Sequence, residues 1–198
     1  MSPRKLASLG ALAVVVALSG CAGDGDEEAE PESVPTNLAA LVLQPEDLPK
    51  VFIRFDEGKL NIADYHAGPR QSRTRFGRQG GWKARYRRAG NLQTAGPLVI
   101  DSQVDRFSDE DGAEQDIEAY EQELRSPWRE LEDPELGDEA VAVTQRQGSG
   151  KFAQRYFTVA WREGRMTASL GVQGFEGKLT LADVLSLARK QQAHLQQS

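Results

Sequence analysis

The residue types that most often do chemistry are few in this chain of 198 residues. It has one cysteine, Cys21, and two histidines, His66 and His194. A lone cysteine cannot close an intramolecular disulfide or build a thiolate metal cage. The two histidines are too far apart in sequence for a zinc-protease helix, and Ser149 lies in Gly-Ser-Gly without the context of a nucleophile elbow. We therefore expect no catalytic residue, no metal site and no cofactor.

Carboxylates are abundant, with 30 Asp and Glu residues. The densest group runs from Asp109 to Glu139 and is predicted to lie on an exposed helix face and in a loop. A solvated acidic face is the favoured interpretation. Paired acids that hydrolyse a substrate remain the alternative.

A basic segment stands out against this acidic background. No acid occurs between Tyr65 and Ile100. The segment holds eight cations: Arg70, Arg73, Arg75, Arg78, Lys83, Arg85, Arg87 and Arg88. One hypothesis is an anion or partner contact formed by Arg73, Arg75, Arg78, Lys83, Arg85 and Arg87. The other is internal neutralisation, in which this segment lies near the acidic helix.

The N-terminus has the pattern of an export signal. Arg4 and Lys5 precede an uncharged run that is too short to span a bilayer and fits the apolar region of a secretory leader. The end of that run, residues 18–21 (LSGC), resembles the lipobox of bacterial lipoproteins. The resemblance implies that residues 1–20 are removed as a lipoprotein signal peptide. It also implies that Cys21 carries a covalent lipid and that the protein is anchored in the cell membrane, facing the extracytoplasmic side.

The sequence then divides into a tether and one domain. Residues 21–36 follow the cleavage site, and from 22 onward they read AGDGDEEAEPESVPT. This composition is too polar to bury a core and predicts a disordered acidic tether. Residues 37–198 are long enough for a single domain. The net charge of the chain is −6 and becomes more negative once the basic leader is lost, so nucleic acid is not expected as a partner.

Periodicity predicts the main elements of that domain. Strands are expected at 51–55, 82–88, 98–107 and 139–145, with a bulge in the third. Residues 57–81 are expected to be mainly loop. Residues 151–162 and 165–173 are predicted to form a hairpin that turns at Glu163-Gly164, so that Trp161 faces Met166.

A helix of one or two turns is expected near residues 38–42, and two further helices are expected after capping boxes. One begins at Ser108 with Asp111 and ends at Pro127, and the other begins at Thr180 with Asp183. The order helix, strands, helix, strands, helix predicts an α+β fold, a mostly antiparallel β-sheet flanked by helices.

Four stretches resemble an exported domain of actinobacteria. They are residues 43–49 (LQPEDLP), 136–140 (LGDEA), 160–165 (AWREGR) and 179–192 (LTLADVLSLARKQQ). Such domains occur as lipoproteins and as outer sensor domains of membrane kinases, and they are similar to α/β/α sandwiches of the PsbP type. The resemblance implies a non-enzymatic accessory or binding role and supplies no site residues.

The predicted function is therefore that of a membrane-anchored lipoprotein whose domain acts by binding at the cell envelope. Its partner would be an envelope protein, an anionic polymer or a lipid. One alternative is a carrier that holds an apolar or lipid ligand between sheet and helices. A second alternative is an envelope hydrolase.

Overall fold

The computed structural model describes residues 37–65, 68–72, 74–124 and 128–197. The predicted signal peptide, Cys21 and the tether lie outside the described residues, as do His66 and Arg73. Within the described ranges, no helix is long and apolar enough to cross a bilayer.

In the residues that the structure describes, seven antiparallel strands form one sheet in the order β1-β2-β3-β7-β6-β5-β4. In chain order the strands are Ile53–Lys59 (β1), Arg78–Arg87 (β2), Val99–Phe107 (β3), Arg129–Glu130 (β4), Glu139–Gln147 (β5), Gln154–Glu163 (β6) and Met166–Phe175 (β7). Two α-helices, Glu110–Glu123 (α1) and Leu181–Leu195 (α2), pack on opposite faces. Short 3₁₀ turns occupy Leu38–Ala40, Pro45–Asp47, Ile62–Asp64, Pro69–Gln71, Arg75–Gly77 and Gly150–Phe152. The predicted α+β class, an antiparallel sheet flanked by helices, is confirmed.

The main hydrophobic core lies between the sheet and α2. Trp161, Val159 and Leu170 project into it from the centre of the sheet and are almost fully buried. Val184 and Ala188 of α2 pack against them. The capping box predicted at the start of α2 is present, since Thr180 and Asp183 bond to each other's backbone N–H groups. This core fixes one face of the sheet and leaves the other face for α1.

The hairpin of β6 and β7 forms, but its predicted register is wrong by two residues. Trp161 faces Ala168, and the strands are joined at Gly164-Arg165. Gly164 has φ +55°, a left-handed conformation that glycine adopts most easily. The turn therefore places glycine at its first position. Because side chains alternate with a period of two, this shift leaves the apolar residues on the predicted face.

Other details also differ from the prediction. The helix expected near residues 38–42 is a 3₁₀ turn at Leu38–Ala40, and the strand expected at 82–88 is β2, which begins at Arg78 inside the expected loop. The N-cap of α1 is Asp109 and not Ser108, because the Asp109 carboxylate accepts the N–H of Gly112 at 2.8 Å. The bulge expected in β3 lies instead at Gln79 in β2, where the register with β3 shifts. The strand predicted at 51–55 begins later and runs to Lys59, so part of the expected loop is strand.

Candidate binding surface

The cations of the basic segment lie in three different environments. Arg70 and Arg78 are buried, with 3% and 7% of their surface exposed. Lys83 and Arg85, on the α1 face of β2, are surrounded by carboxylates. Arg75, Arg87 and Arg88 lie nearer to solvent.

Arg70 and Arg78 form a buried ion cluster with Asp105 of β3 and Asp116 of α1. Arg70 Nε lies 3.0 Å and Arg78 Nη2 lies 2.7 Å from Asp116 Oδ1. The same two guanidinium groups lie 3.6 Å and 3.3 Å from the carboxylate of Asp105. Two cations thus balance two anions in the interior, which is the condition under which buried charges are tolerated.

Neutral side chains add hydrogen bonds to this buried ion cluster. The Tyr65 hydroxyl donates to Asp105 at 2.7 Å, and the Thr167 hydroxyl donates to Asp116 at 2.9 Å. The guanidinium of Arg70 stacks 3.9 Å from the ring centre of Tyr120. The cluster therefore joins the loop before β2 to the sheet and to α1.

Burial controls the protonation of Asp105. Loss of solvation raises the pKa of this carboxyl to about 6, outweighing the opposing effect of Arg78. The nearby negative charge of Asp116 acts in the same direction as burial. Asp105 can therefore change its charge in a mildly acidic range.

A second group, which we call the surface ion network, consists of Lys83, Arg85, Asp56, Asp64 and Asp101. Lys83 Nζ lies 2.6 Å from Asp64 and 3.0 Å from Asp56. Arg85 contacts all three carboxylates at 2.8–3.0 Å. Three acids thus surround two cations, so this network presents no excess positive charge.

Hydrogen bonding sets the protonation of the two acids that Lys83 contacts. The pKa of Asp56 is lowered chiefly by its hydrogen bond from Lys83. Burial acts to raise the pKa of Asp64, but the bonds from Lys83 and from the backbone of Asn61 outweigh it, so the net shift is downward. Both carboxylates remain ionised at neutral pH and hold the cations in place.

Arg75 and Arg87 are the candidate contact residues that reach solvent. Each is exposed, and within the described ranges neither has a carboxylate at salt-bridge distance. Arg87 lies over the ring of Phe55, 5.3 Å from its centre, and Arg75 lies 4.9 Å from that of Phe76. Both charges are therefore available to an anion.

Internal neutralisation accounts for much of the basic segment. Asp116 of the acidic helix pairs with Arg78, as that hypothesis predicts. Lys83 and Arg85 pair instead with acids of β1, β3 and the turn between β1 and β2. In this conformation Arg78 and Lys83 do not present their charge to a partner. The binding role of the exposed residues stays a prediction.

Sequence reasoning missed the acids of the buried ion cluster, although both left a signal. Asp116 falls on the apolar face of α1 between Ala113 and Ile117, where an acid is out of place unless it is paired. Asp105 interrupts the alternation of β3, because loop and helix cover the face to which it points. Burial on both faces, and not a bulge in β3, therefore breaks the alternation there.

A cavity of about 440 Å³ lies beside the end of α1, at the β4 edge of the sheet. Its walls include Leu124, Trp128, Val141 and Val143, with Arg129 at its rim. This volume falls within the range of small-molecule sites. It differs from the predicted carrier cavity in lying at a sheet edge and not centrally between sheet and helix.

The carboxylates that converge in the described part of the chain are paired with Lys or Arg. No group of three or more Asp, Glu, His or Cys side chains is arranged there to hold a metal ion. His194, near the end of α2, lies 2.9 Å from Asp47 and so joins the helix to the N-terminal turn.

The sequence matches no family model and no curated protein. Its fold is similar to the crystal structure of the extracellular domain of PknH from Mycobacterium tuberculosis. The TM-score is 0.62, and the superposition covers 81% of this chain and 95% of that domain. The two sequences are 9% identical, so the likeness concerns the fold alone.

Proposed function

We propose that this protein is a lipid-anchored, extracytoplasmic lipoprotein whose domain at residues 37–198 acts by binding and not by catalysis. Cys21 carries the lipid, residues 22–36 are the tether, and the domain contacts an anionic polymer, a lipid or an acidic protein of the cell envelope. The observation that carries the proposal is the combination of a lipobox-like LSGC motif with a fold shared by a solved extracellular domain.

The charge distribution supports the binding role. The buried ion cluster and the surface ion network use their cations internally, while Arg75 and Arg87 remain exposed. Arg75 lies just before the start of β2 and Arg87 lies at its end, so the two are roughly 30 Å apart. We propose these two residues, together with Arg73, as contacts along an extended anion. Arg78, Lys83 and Arg85 then act as supports that hold β2 and its loop in place.

The anchor is tested by native mass spectrometry of the protein extracted from its own membrane. We expect a mass that begins at acylated Cys21, and we expect Cys21→Ser to retain Met1 and to gain no lipid. A wild-type chain with an unmodified cysteine would contradict the lipoprotein proposal.

The same spectrum tests the carrier alternative, which the cavity near Trp128 favours. A lipid or other apolar adduct that survives gentle desolvation, and that is lost in Val143→Trp because the larger side chain fills the cavity, would establish a carrier. Its absence from both proteins would support surface binding.

The anion contact is tested by titrating the acylated protein, held in detergent micelles, with a soluble polyglycerol phosphate. We expect the double variant Arg75→Glu, Arg87→Glu to bind at least about tenfold more weakly, since each reversal replaces attraction with repulsion. The matched control is Lys151→Glu, Lys178→Glu, which makes the same charge change at exposed sites elsewhere. Equal weakening in both variants would show that net charge alone matters and would contradict a contact at Arg75 and Arg87.

A further inference from the structure

Exposed apolar side chains are concentrated at one edge of the sheet. In the described ranges, five large hydrophobic residues are strongly exposed, and four of them lie between residues 51 and 62. These four are Val51, Ile53, Phe55 and Ile62, with 59%, 67%, 45% and 47% of their surface exposed. Single exposed apolar residues are common on soluble proteins, but a group of this kind indicates an interaction surface.

The group is held together by β1, which is the edge strand of the sheet. Ile53 pairs with Arg87 of β2, so their side chains share one face. The bulge between Arg54 and Asp56 brings Phe55 under the guanidinium of Arg87. The turn that carries Ile62 is fixed beside β1, because Asp64 and Asp56 share Lys83. We call Val51, Ile53, Phe55, Ile62 and Arg87 the β1 edge patch.

Cations border the β1 edge patch, although the chain as a whole is acidic. Lys50 and Lys59 are exposed around it, and Arg87 is exposed within it. The two acids of β1 are already paired: Glu57 lies 3.0 Å from Arg54, and Asp56 belongs to the surface ion network. The edge therefore offers apolar side chains and free positive charge together, a combination that suits the interface of an anionic membrane.

The described chain begins at the same edge. Asn37 and Leu38, where the described chain begins, border a cavity together with Lys59 and Leu60 at the end of β1. Residues 22–36 span at most about 50 Å when fully extended, and β1 is about 20 Å long. An anchor at Cys21 thus allows every part of this strand to reach the membrane.

We infer that the β1 edge patch docks on the anionic lipid surface in which Cys21 is anchored. This inference rests on the proposed lipoprotein function. Ile53 and Phe55 enter the headgroup region, Arg87 contacts lipid phosphates, and α1 and α2 then flank a sheet that meets the membrane by its edge. The opposite edge, with the cavity near Trp128, faces away from the membrane.

The experiment uses the acylated full-length lipoprotein reconstituted in vesicles. Its native thiol is occupied by lipid, so Ile53→Cys introduces one free thiol for an environment-sensitive fluorophore. Phe152→Cys is the matched control, because Phe152 is the fifth exposed hydrophobic residue and has a similar exposure of 65%. Vesicles contain either phosphatidylglycerol or only phosphatidylcholine, and brominated lipids report contact with the bilayer.

We expect a blue shift and at least about twofold stronger quenching at position 53 than at 152 in phosphatidylglycerol vesicles. Combining Arg87→Glu with Ile53→Cys should reduce the quenching at position 53, and high salt should reduce it as well. Equal emission shifts and equal quenching at 53 and 152 would overturn the docking but not the lipoprotein proposal. So would the absence of quenching at 53 in a protein that floats with the vesicles and is therefore anchored. A chain without lipid on Cys21 overturns both the docking and the proposed function. A blue shift at position 53 in the absence of vesicles that increases with protein concentration would show that two copies pair along β1. That result would also overturn the inference.

Discussion

At the scale of single residues, the same carboxyl group behaves differently in the two ionic groups of this protein. Asp105 is enclosed, and loss of solvation raises its pKa to about 6. Asp56 is open to water and receives a hydrogen bond from Lys83, so its pKa is lowered. These shifts have opposite consequences for stability, because a raised pKa favours the folded state at low pH and a lowered pKa favours it at higher pH.

The first prediction concerns Asp105, which faces Tyr65, Arg70, Arg78 and Asp116. Because the folded protein takes up this proton more readily than the unfolded chain, the contribution of Asp105 to the free energy of unfolding is fully present below pH 3.8 and is lost as the pH rises through about 6. Asp105→Asn should remove this contribution. Denaturant titrations between pH 4 and pH 7 should therefore give a less negative slope of unfolding free energy against pH in the variant.

The two carboxylates that Lys83 contacts provide the contrast. Asp56→Asn removes a lowered pKa, whose stabilisation is fully present above pH 3.8 and is lost as the pH falls through the folded-state pKa. This variant should therefore be less stable than the wild type at pH 7 and keep the wild-type slope between pH 5 and pH 7, and the difference should disappear in stronger acid. Identical slopes for Asp105→Asn and wild type between pH 4 and pH 7 would contradict the assignment of a raised pKa to the buried carboxyl.

At the scale of elements, turns decide details that strand patterns leave open. The alternation along β6 and β7 is compatible with two registers, because a shift of two residues keeps every side chain on its face. Gly164 determines which of the two registers forms, because its φ of +55° fits the first position of the turn. A similar local effect moves the start of α1 to Asp109, because its carboxylate is the one that reaches the N–H of Gly112.

This gives a prediction for the hairpin. A β-carbon added at Gly164 would meet no atom within 4 Å, so Gly164→Ala should act through backbone strain alone and cost about 1 kcal/mol of unfolding free energy. Gly164→Asn should cost less, because asparagine tolerates the left-handed region. Thermal and denaturant unfolding provide the measurement.

The control for that prediction is Gly171→Ala in β7. Its backbone is not in the left-handed region, and its new β-carbon would make an ordinary 3.7 Å contact with Asp101. The strain argument requires a smaller loss at 171 than at 164. A loss at 164 no greater than the loss at 171 would contradict the strain argument.

At the scale of the whole molecule, some cations are buried in ion pairs and others are exposed at one edge of the sheet. The chain carries a net charge of −6, yet cations are used inside the domain at Arg70 and Arg78 and remain free near β1 at Arg87. A uniformly acidic surface would be repelled by an anionic membrane. In the docking that we infer, the positive charge at one sheet edge therefore favours one orientation, and the described chain begins on the same side.

The similarity to the extracellular domain of PknH also belongs to this scale. With 9% identity and a TM-score of 0.62, what the two chains share is the arrangement of sheet and helices. The α+β class expected from the sequence is confirmed, whereas the PsbP type of sandwich stays a prediction. The partner must be determined from this chain's own surface, because fold alone does not carry function.

The sequence by itself determined the class of fold, the two long helices and the apolar faces of the central strands. These depend on local periodicity and caps, such as Thr180 with Asp183, which act between neighbours along the chain. The predictions of an export signal and of acylation at Cys21 also rest on the sequence alone, and native mass spectrometry tests them.

Only the tertiary structure decided which cations are free. Arg78, Lys83 and Arg87 lie within one stretch of sequence, but Arg78 meets Asp116 from a distant helix, and Lys83 meets Asp56 and Asp64. Arg87 meets no acid among the described residues, because it lies beside an edge strand. Such pairings join residues far apart in the chain and depend on strand order, which a local pattern does not encode. For the same reason, the exposure of the β1 edge patch became visible only when the sheet was assembled.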